Sequence, residues 1–289
     1  MSWAEAPAAG LMPDGRLRLT HGPIDVIIKA EGTPDTVQRA FERAHRAFQT
    51  VLTRLVQELP RLRSPHGAAP EGPVARRMAR AVAPFYPTFV TPMAAVAGSV
   101  ADHLLSAMLI PGHGLTSLHV NNGGDIALWT AGPVLTAAIC DNPLTGHIAT
   151  RAHIAPGDGI GGIATSGWRG RSLSMGVADA VTVLARDAAT ADAAATLIAN
   201  AVDLPGHPAV KRQPAYRLSP DSDLGDRRIT TDVGPLTPAD TATALDRGAA
   251  VAQDYLGRGL IRAACLACQG EHRLLGAPLT TLTKDLTYA

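Results

Sequence analysis

Apolar residues recur along the chain with two different periods. From Val37 onward, Val37, Phe41, Ala44, Phe48, Val51, Leu55 and Leu59 follow one another at intervals of three and four, which lays a single apolar stripe along an α-helix. Thr33-Pro34-Asp35 just before them supplies a capping hydroxyl, a proline for the first helical position and an acid for the first turn. The spacing therefore predicts one helix from 33 to 59, with its Arg, Glu and Gln face in solvent. Upstream, Leu17–Leu19 and Ile24–Ala30 read as two short strands around His21-Gly22-Pro23. Pro60 to Pro73 is a Pro/Gly-rich connection, followed by expected helices at Val74–Val82 and Met93–Leu109.

From Ser117 the period changes. Leu118–Asn121, Asp125–Thr130, Val134–Cys140 and His147–His153 are short segments separated by turn residues, the pattern of antiparallel strands. Gly162–Thr165 and Ala180–Ala185 read as further strands, and a helix is expected at about Ala189–Val202. Leu204 to Asp226 reads as a long ordered loop, Arg228–Val233 as a strand, and Thr237-Pro238-Ala239-Asp240 opens a helix to about Tyr255. Leu260–Cys268 and His272–Leu275 form an expected closing hairpin over Gln269-Gly270-Glu271. Strands and helices mix without βαβ alternation, so the fold class is α+β, with antiparallel sheets and packed helices rather than a doubly wound parallel sheet. One domain over residues 1–289 is expected, with a subdomain division near 110–120.

Composition removes several function classes. The net charge is +1 and aromatics make up 4%, so neither a basic stripe nor stacking platforms for nucleic acid are to hand. The chain has 23 arginines but three lysines, so lysine chemistry can draw only on Lys29, Lys211 and Lys284. Met1 to Pro7 has neither the basic nor the apolar region of a secretory leader, and no apolar run reaches the length of a membrane helix. With three cysteines, an odd number, the sequence reads as a cytoplasmic protein of a reducing compartment. Cys265 and Cys268 have Cys-x-x-Cys spacing, but on a strand residues three apart point to opposite faces, and no second pair completes a zinc site; they read as core residues.

Four stretches carry candidate chemistry. Gly157-Asp158-Gly159-Ile160-Gly161-Gly162 matches the dinucleotide fingerprint, yet Ile163-Ala164-Thr165 after it does not begin a helix, so a turn is expected. Asn121-Asn122-Gly123-Gly124-Asp125 is a good hairpin signal; its glycines also let a backbone approach a ligand closely, and Asp125 can accept a hydrogen bond from a ribose, sugar or ring N–H. Asp192 and Thr196 stand four apart, hence on one face of a helix, where hard oxygens suit Mg²⁺ beside a phosphate; equally, Asp192 can be an early-turn acid on a buried alanine-rich helix. Asp203 to His207 and Ser219 to Arg228 are polar loop clusters that form either a site or a salt-bridged run of turns. No serine-hydrolase elbow, zinc helix or P-loop is present, and no catalytic residue is assigned.

Taken in order, the stretches Ala94 to Asp102, Val120 to Ile126, Ala164 to Gly167, Ala180 to Ala185 and Ala191 to Thr196 resemble the ApbE-like superfamily, whose known members are FAD:protein FMN transferases. The flanks, including Gly22 to Ile28, Asp203 to Pro208 and Pro220 to Asp226, are similar to a sister family within it, and this likeness covers nearly the whole chain. The resemblance implies an α+β fold with a central ligand cleft, and cleavage of FAD with transfer of FMN to a Thr or Ser of an acceptor protein. It implies Asp192 and Thr196 as Mg²⁺ ligands, with a backbone carbonyl near Val96 as a third. It also implies that Asn121, Gly123, Gly124 and Asp125 line a flavin-nucleotide cleft, with Thr165, Ser166 and Gly167 nearby. The implied partners are a small-molecule nucleotide and an acceptor protein, with no nucleic acid and no membrane; a homo-oligomer stays open.

Two positions depart from the transferase pattern. Ala97 stands where the transferases have a lysine, and Met175 where they have a histidine, and a methionine can neither donate to phosphate nor move a proton. Two functions therefore stay open: a Mg²⁺-dependent enzyme acting on a flavin nucleotide, by FMN transfer or FAD pyrophosphate cleavage, or a non-flavin small-molecule-binding or metabolic protein that keeps the fold.

Overall fold

The computed structural model describes residues 6–142, 145–170 and 172–281. Lys284 and the Met1–Glu5 part of the leader reading lie outside the described residues. The elements run, in chain order, β1 (Ala8–Leu11), β2 (Leu17–His21), β3 (Ile24–Gly32), α1 (Pro34–Phe48), α2 (Val51–Gln57), α3 (Leu59–Leu62), α4 (Pro73–Val82) and α5 (Val96–Met108). They continue with β4 (Leu115–Asn122), β5 (Asp125–Thr130), β6 (Leu135–Asn142), β7 (His147–Ile154), β8 (Gly162–Ser166), β9 (Ala180–Ala185) and α6 (Ala188–Ala201). The last third carries β10 (Val210–Pro214), β11 (Arg228–Val233), α7 (Pro238–Gly257), β12 (Ala263–Cys268), β13 (Glu271–Gly276) and β14 (Leu279–Thr281). The class is α+β, with antiparallel pairing from β1–β2 through β12–β13, as the mixed order of elements predicts.

The chain divides into two compact units, Met1–Pro133 with Ala155–Ala164 and Ala185–Ala193, and Val134–Ile154 with Thr165–Leu184 and Ala194–Ala289. The division falls inside β8, at the last residue of β9 and inside α6.

In the first unit, β1 to β5 pair in sequence order and β8 joins β5. Period-two alternation decides what faces inward: Leu17 and Leu19, Val26 and Ile28, and Leu118 and Val120 are buried, while Arg18 and Lys29 next to them are exposed. Against these pack Ala40, Ala44 and Phe48 of α1 and Val100, Ala101, Leu104 and Met108 of α5. The expected 33–59 helix is three helices. Thr33 caps the first as predicted, accepting from the Thr36 amide. Pro60 has no amide to continue the second, so the helix restarts at Leu59 with Pro60 in its first turn. Nothing in the local sequence explains the break between Phe48 and Val51.

In the second unit, β9, β12 and β13 form one antiparallel ladder, β6, β7 and β14 another, and β10 and β11 a ribbon. The 204–226 stretch, expected as loop, contains β10 and a 3-10 turn at Ala215–Arg217; Lys211 and Arg212 find ladder partners in β11, and Arg212 is also ion-paired to Asp203. Thr237 and Asp240 cap α7 reciprocally. Gln269 and Gly270, both at positive φ, turn the closing hairpin. Cys265 and Cys268 are buried in β12, and burial pushes their thiols up to about 11 and about 12, so they are inert core residues as the strand reading holds.

Phe48 is fully buried and meets the His21 ring edge-on, with centroids 6.4 Å apart. Phe48→Ala is expected to cost about 3–5 kcal/mol of unfolding free energy, read from urea denaturation. A loss under about 1 kcal/mol would mean that this layer of the core does not carry the first unit.

Candidate functional site

The glycines of Asn121 to Asp125 serve a two-residue hairpin turn between β4 and β5. Asn122 pairs with Asp125, and Gly123 and Gly124 take φ of +68° and +113°. The Gly124 amide donates to Asn121 Oδ1 at 2.8 Å, so the Asn121 side chain holds the turn. Asn122 continues the inward alternation of Leu118 and Val120. It is buried, and its Nδ2 donates to the Ala97 carbonyl at 3.1 Å, fixing the hairpin tip to the start of α5.

The same helix start receives Asp192. The Gly98 amide donates to Asp192 Oδ2 at 3.0 Å and the Ala97 amide bonds the same carboxylate. These amides belong to the first turn of α5, where no intrahelical acceptor exists. The favour is returned by Asp102, one turn further along α5. Its Oδ1 accepts from the Ala188 amide at 3.1 Å and its Oδ2 from the Ala189 amide at 2.9 Å, both in the first turn of α6. Asp187 completes that end by accepting from the Thr190 amide at 2.8 Å. Each helix thus carries the carboxylate that caps the other, where the helix dipole favours negative charge. A glycine is required between them: a Cβ on Gly98 would lie 2.3 Å from the Ala188 carbonyl oxygen. Likewise a Cβ on Gly162 would lie 2.1 Å from the Ala188 amide. The fingerprint-like glycines at 157–162 therefore make turns and close packing and lead into a strand, with no helix start for a pyrophosphate.

The electrostatics of this spot are unusual. Burial pushes the Asp102 carboxyl up to about 6, against the pull of the Ala189 and Ala188 amides; Asp187 adds to the rise and Arg77, 4.0 Å away, opposes it. Asp192 is raised well above the ordinary carboxylate range, first by burial and then by the neighbouring Asp125 carboxylate, with the Gly98 and Ala97 amides pulling the other way. The structure thus brings together Asn121 to Asp125, Val96 to Gly98 and Asp192, all within the first unit. Sequence reasoning missed Asp102 and Asn122 as individual residues. The signals were present: a carboxylate inside an apolar helix, and an asparagine on the inward beat of a strand.

Thr165, Ser166, Gly167 and Thr196 belong to the second unit. Thr165 Oγ1 lies 2.8 Å from Thr182 Oγ1. Gly167 passes so close to the chain that a Cβ would lie 2.5 Å from the Asp179 carbonyl. Beyond it, Arg169 bonds Asp179 at 2.6 Å and stacks 4.4 Å from the Trp168 ring centroid. Thr196 follows Asp192 by one turn of α6. Of the loop clusters, His207 lies 3.5 Å from Asp240, and Ser219 to Arg227 closes as successive turns. Lys29 and Lys211 are spent on Glu31 and Asp232 at 2.9 and 2.8 Å. Among the described residues, no three His, Cys, Asp or Glu side chains are grouped as a metal cage, and no helix is long and apolar enough to cross a membrane.

A sequence model of the family described as AbpE bacteria matches residues 9–274. The chain belongs to this family. The motif resemblance to the ApbE-like superfamily is thereby borne out. Relatives of this AbpE chain include the UPF0280 protein of Methanothrix thermoacetophila, 40% identical over 45% of this chain and 52% of its own. That of Methanospirillum hungatei is 43% identical over 40% and 46%, and that of Methanopyrus kandleri 36% identical over 64% and 73%. The chain spans about half the length of the first two. Among solved structures, the apo form of the Pseudomonas stutzeri flavinyl transferase ApbE is 13% identical, with a TM-score of 0.41 over 97% of this chain and 96% of that one. The flavin transferase ApbE from Vibrio cholerae is 12% identical, with a TM-score of 0.36 over 93% and 96%.

Because Asp102 keeps its proton to about pH 6 when folded but to 3.8 ordinarily, the folded AbpE chain binds more protons between those values. Its contribution to stability is full below about pH 4 and is lost as pH rises through about 6, by up to about 3 kcal/mol. Urea midpoints of wild type and Asp102→Asn, compared at low and neutral pH, should show the wild type losing more on the way up. Parallel profiles would contradict the raised Asp102.

Proposed function

We propose that this chain acts on a flavin nucleotide with Mg²⁺, cleaving the pyrophosphate of FAD and passing FMN to a hydroxyl of an acceptor protein or to water. The observation that supports the reading best is a convergence: three motif stretches far apart in sequence meet at one spot, through Asn122 on Ala97 and Gly98 on Asp192. Membership of the AbpE family supports it too.

The residues present fit a magnesium ion. Mg²⁺ takes hard oxygens and usually keeps water and substrate phosphate beside one or two carboxylates. Asp192 and Asp125 are two such carboxylates, close enough for one to disfavour ionisation of the other, a strain that a divalent cation relieves. In this reading Asp192 and the Val96 carbonyl hold the ion. When bound it supplies neutralisation of pyrophosphate charge. The Ala97 and Gly98 amides orient the Asp192 carboxylate, and Asn122 keeps the hairpin against them. Gly123 and Gly124, exposed and without side chains, let the nucleotide approach the backbone. In the reaction the bond from the FMN phosphorus to the bridging oxygen breaks, AMP leaves with that oxygen, and the acceptor oxygen takes its place on the FMN phosphorus, releasing its proton. Ala97 and Met175 bring neither the ammonium nor the imidazole of the transferases, so no proton acceptor is assigned.

Those two positions also favour the second reading, a non-flavin small-molecule binder in which Asp192 and Asn122 serve only to hold α5. Incubation of the purified protein with FAD and Mg²⁺, with and without hydroxyl acceptors, separates the two. Magnesium-dependent AMP formation is expected, falling about a hundredfold in Asp192→Asn while the urea midpoint stays near the wild type. If neither AMP nor FMN forms and flavin titration shows no binding, the flavin reading is lost.

A further inference from the structure

We propose that the first unit carries a second ligand site, a pocket for a phosphate group between α1, α2, α4 and α5, with Arg46 and Arg54 as its principal ligands. The space is a cavity of about 230 Å³ whose lining includes Arg46, Thr50, Arg54, Val74, Ala75 and His103. Against about 30 Å³ per water molecule, it holds a tetrahedral oxyanion with several waters. None of these residues belongs to the Asp192 spot.

Charge decides the class of ligand. The chain as a whole is nearly neutral, but residues 34–110 carry nine arginines, no lysine and five carboxylates. Glu58 is the carboxylate in the cavity lining, and it is already engaged: its two oxygens accept from the Glu71 and Gly72 amides at 2.7 Å each. Among the described residues, neither Arg46 nor Arg54 has a carboxylate within ion-pair distance, in contrast to Arg77, which reaches Asp102. His103 is half-buried beside them. Burial lowers its proton affinity, the Arg77 and Arg54 guanidiniums lower it further, and its bond to Ala47 opposes them. Two guanidiniums thus border one cavity against a single carboxylate, Glu58, whose oxygens are taken up by the Glu71 and Gly72 amides. Guanidinium donors match the oxygens of phosphate, and a dianion there would offset their mutual repulsion. The start of α4 adds to the same field: it has no side-chain cap, and Val74 and Ala75 of its first turn are buried in the cavity wall.

The test is calorimetric titration of the flavin-free protein with inorganic phosphate at constant ionic strength, with chloride as the control anion and glycerol 3-phosphate as a monoester. One saturable phosphate site is expected. Arg46→Ala and Arg54→Ala, both exposed and so tolerable for the fold, should each weaken it about tenfold or more. Arg39→Ala, exposed on α1 but outside the lining, should leave it unchanged. Binding of the monoester would identify a phosphorylated ligand, and binding of inorganic phosphate alone would identify the free ion. The proposal is overturned if phosphate does not saturate, or if the Arg46→Ala/Arg54→Ala double variant binds it as the wild type does. Because no flavin is present, neither result depends on the FAD reading.

Discussion

Two helix starts meet in the first unit, and each is capped by a carboxylate borne on the other helix. Asp192 of α6 accepts from the first turn of α5, and Asp102 of α5 accepts from the first turn of α6. Each unsatisfied buried amide would cost about 1–3 kcal/mol, so the arrangement offsets a large penalty at the place where the two backbones touch. Gly98 is what lets them touch. The hairpin tip depends on it as well, since Asn122 binds the carbonyl of Ala97 in that same first turn.

This constraint couples architecture to chemistry. Carboxylates taken out of water and set beside one another resist ionisation, and the structure holds Asp192 and Asp102 in that condition by packing. Groups of this kind suit a cation or an anionic substrate with its cation. A structural role and the proposed metal-holding one share residues here: the amides that satisfy Asp192 also fix its direction. Removing the charge while keeping an acceptor oxygen is therefore the substitution that parts the two roles.

Much of this was legible in advance. Apolar spacing located α1, helices were expected where α4, α5 and α7 lie, and short segments between turn residues located the β4–β5 and β12–β13 hairpins. Cap chemistry at Thr33 and Thr237 marked two helix starts. Elsewhere the sequence misled or was silent. The apolar stripe through Val51 hid the break after Phe48, because a stripe records which residues face the core and not whether the helix is continuous. The polar 204–226 stretch hid β10, because a two-stranded ribbon buries little and needs no apolar alternation.

What the sequence determined by itself is local. Periodicity, caps and turn glycines act over a few residues, and so do the hairpin tip at Gly123-Gly124 and the shared helix face of Asp192 and Thr196. Only the tertiary structure decided which partners those groups have. Asp192 meets Gly98 across 94 residues, Asp102 meets Ala188 across 86, and Asn122 meets Ala97 across 25. The Arg46 and Arg54 guanidiniums share a cavity with His103 for the same reason. A carboxylate or a guanidinium carries no mark in the chain of what it will face. Its partner is set by the packing that brings remote segments together, and with the partner come its proton affinity and its chemistry.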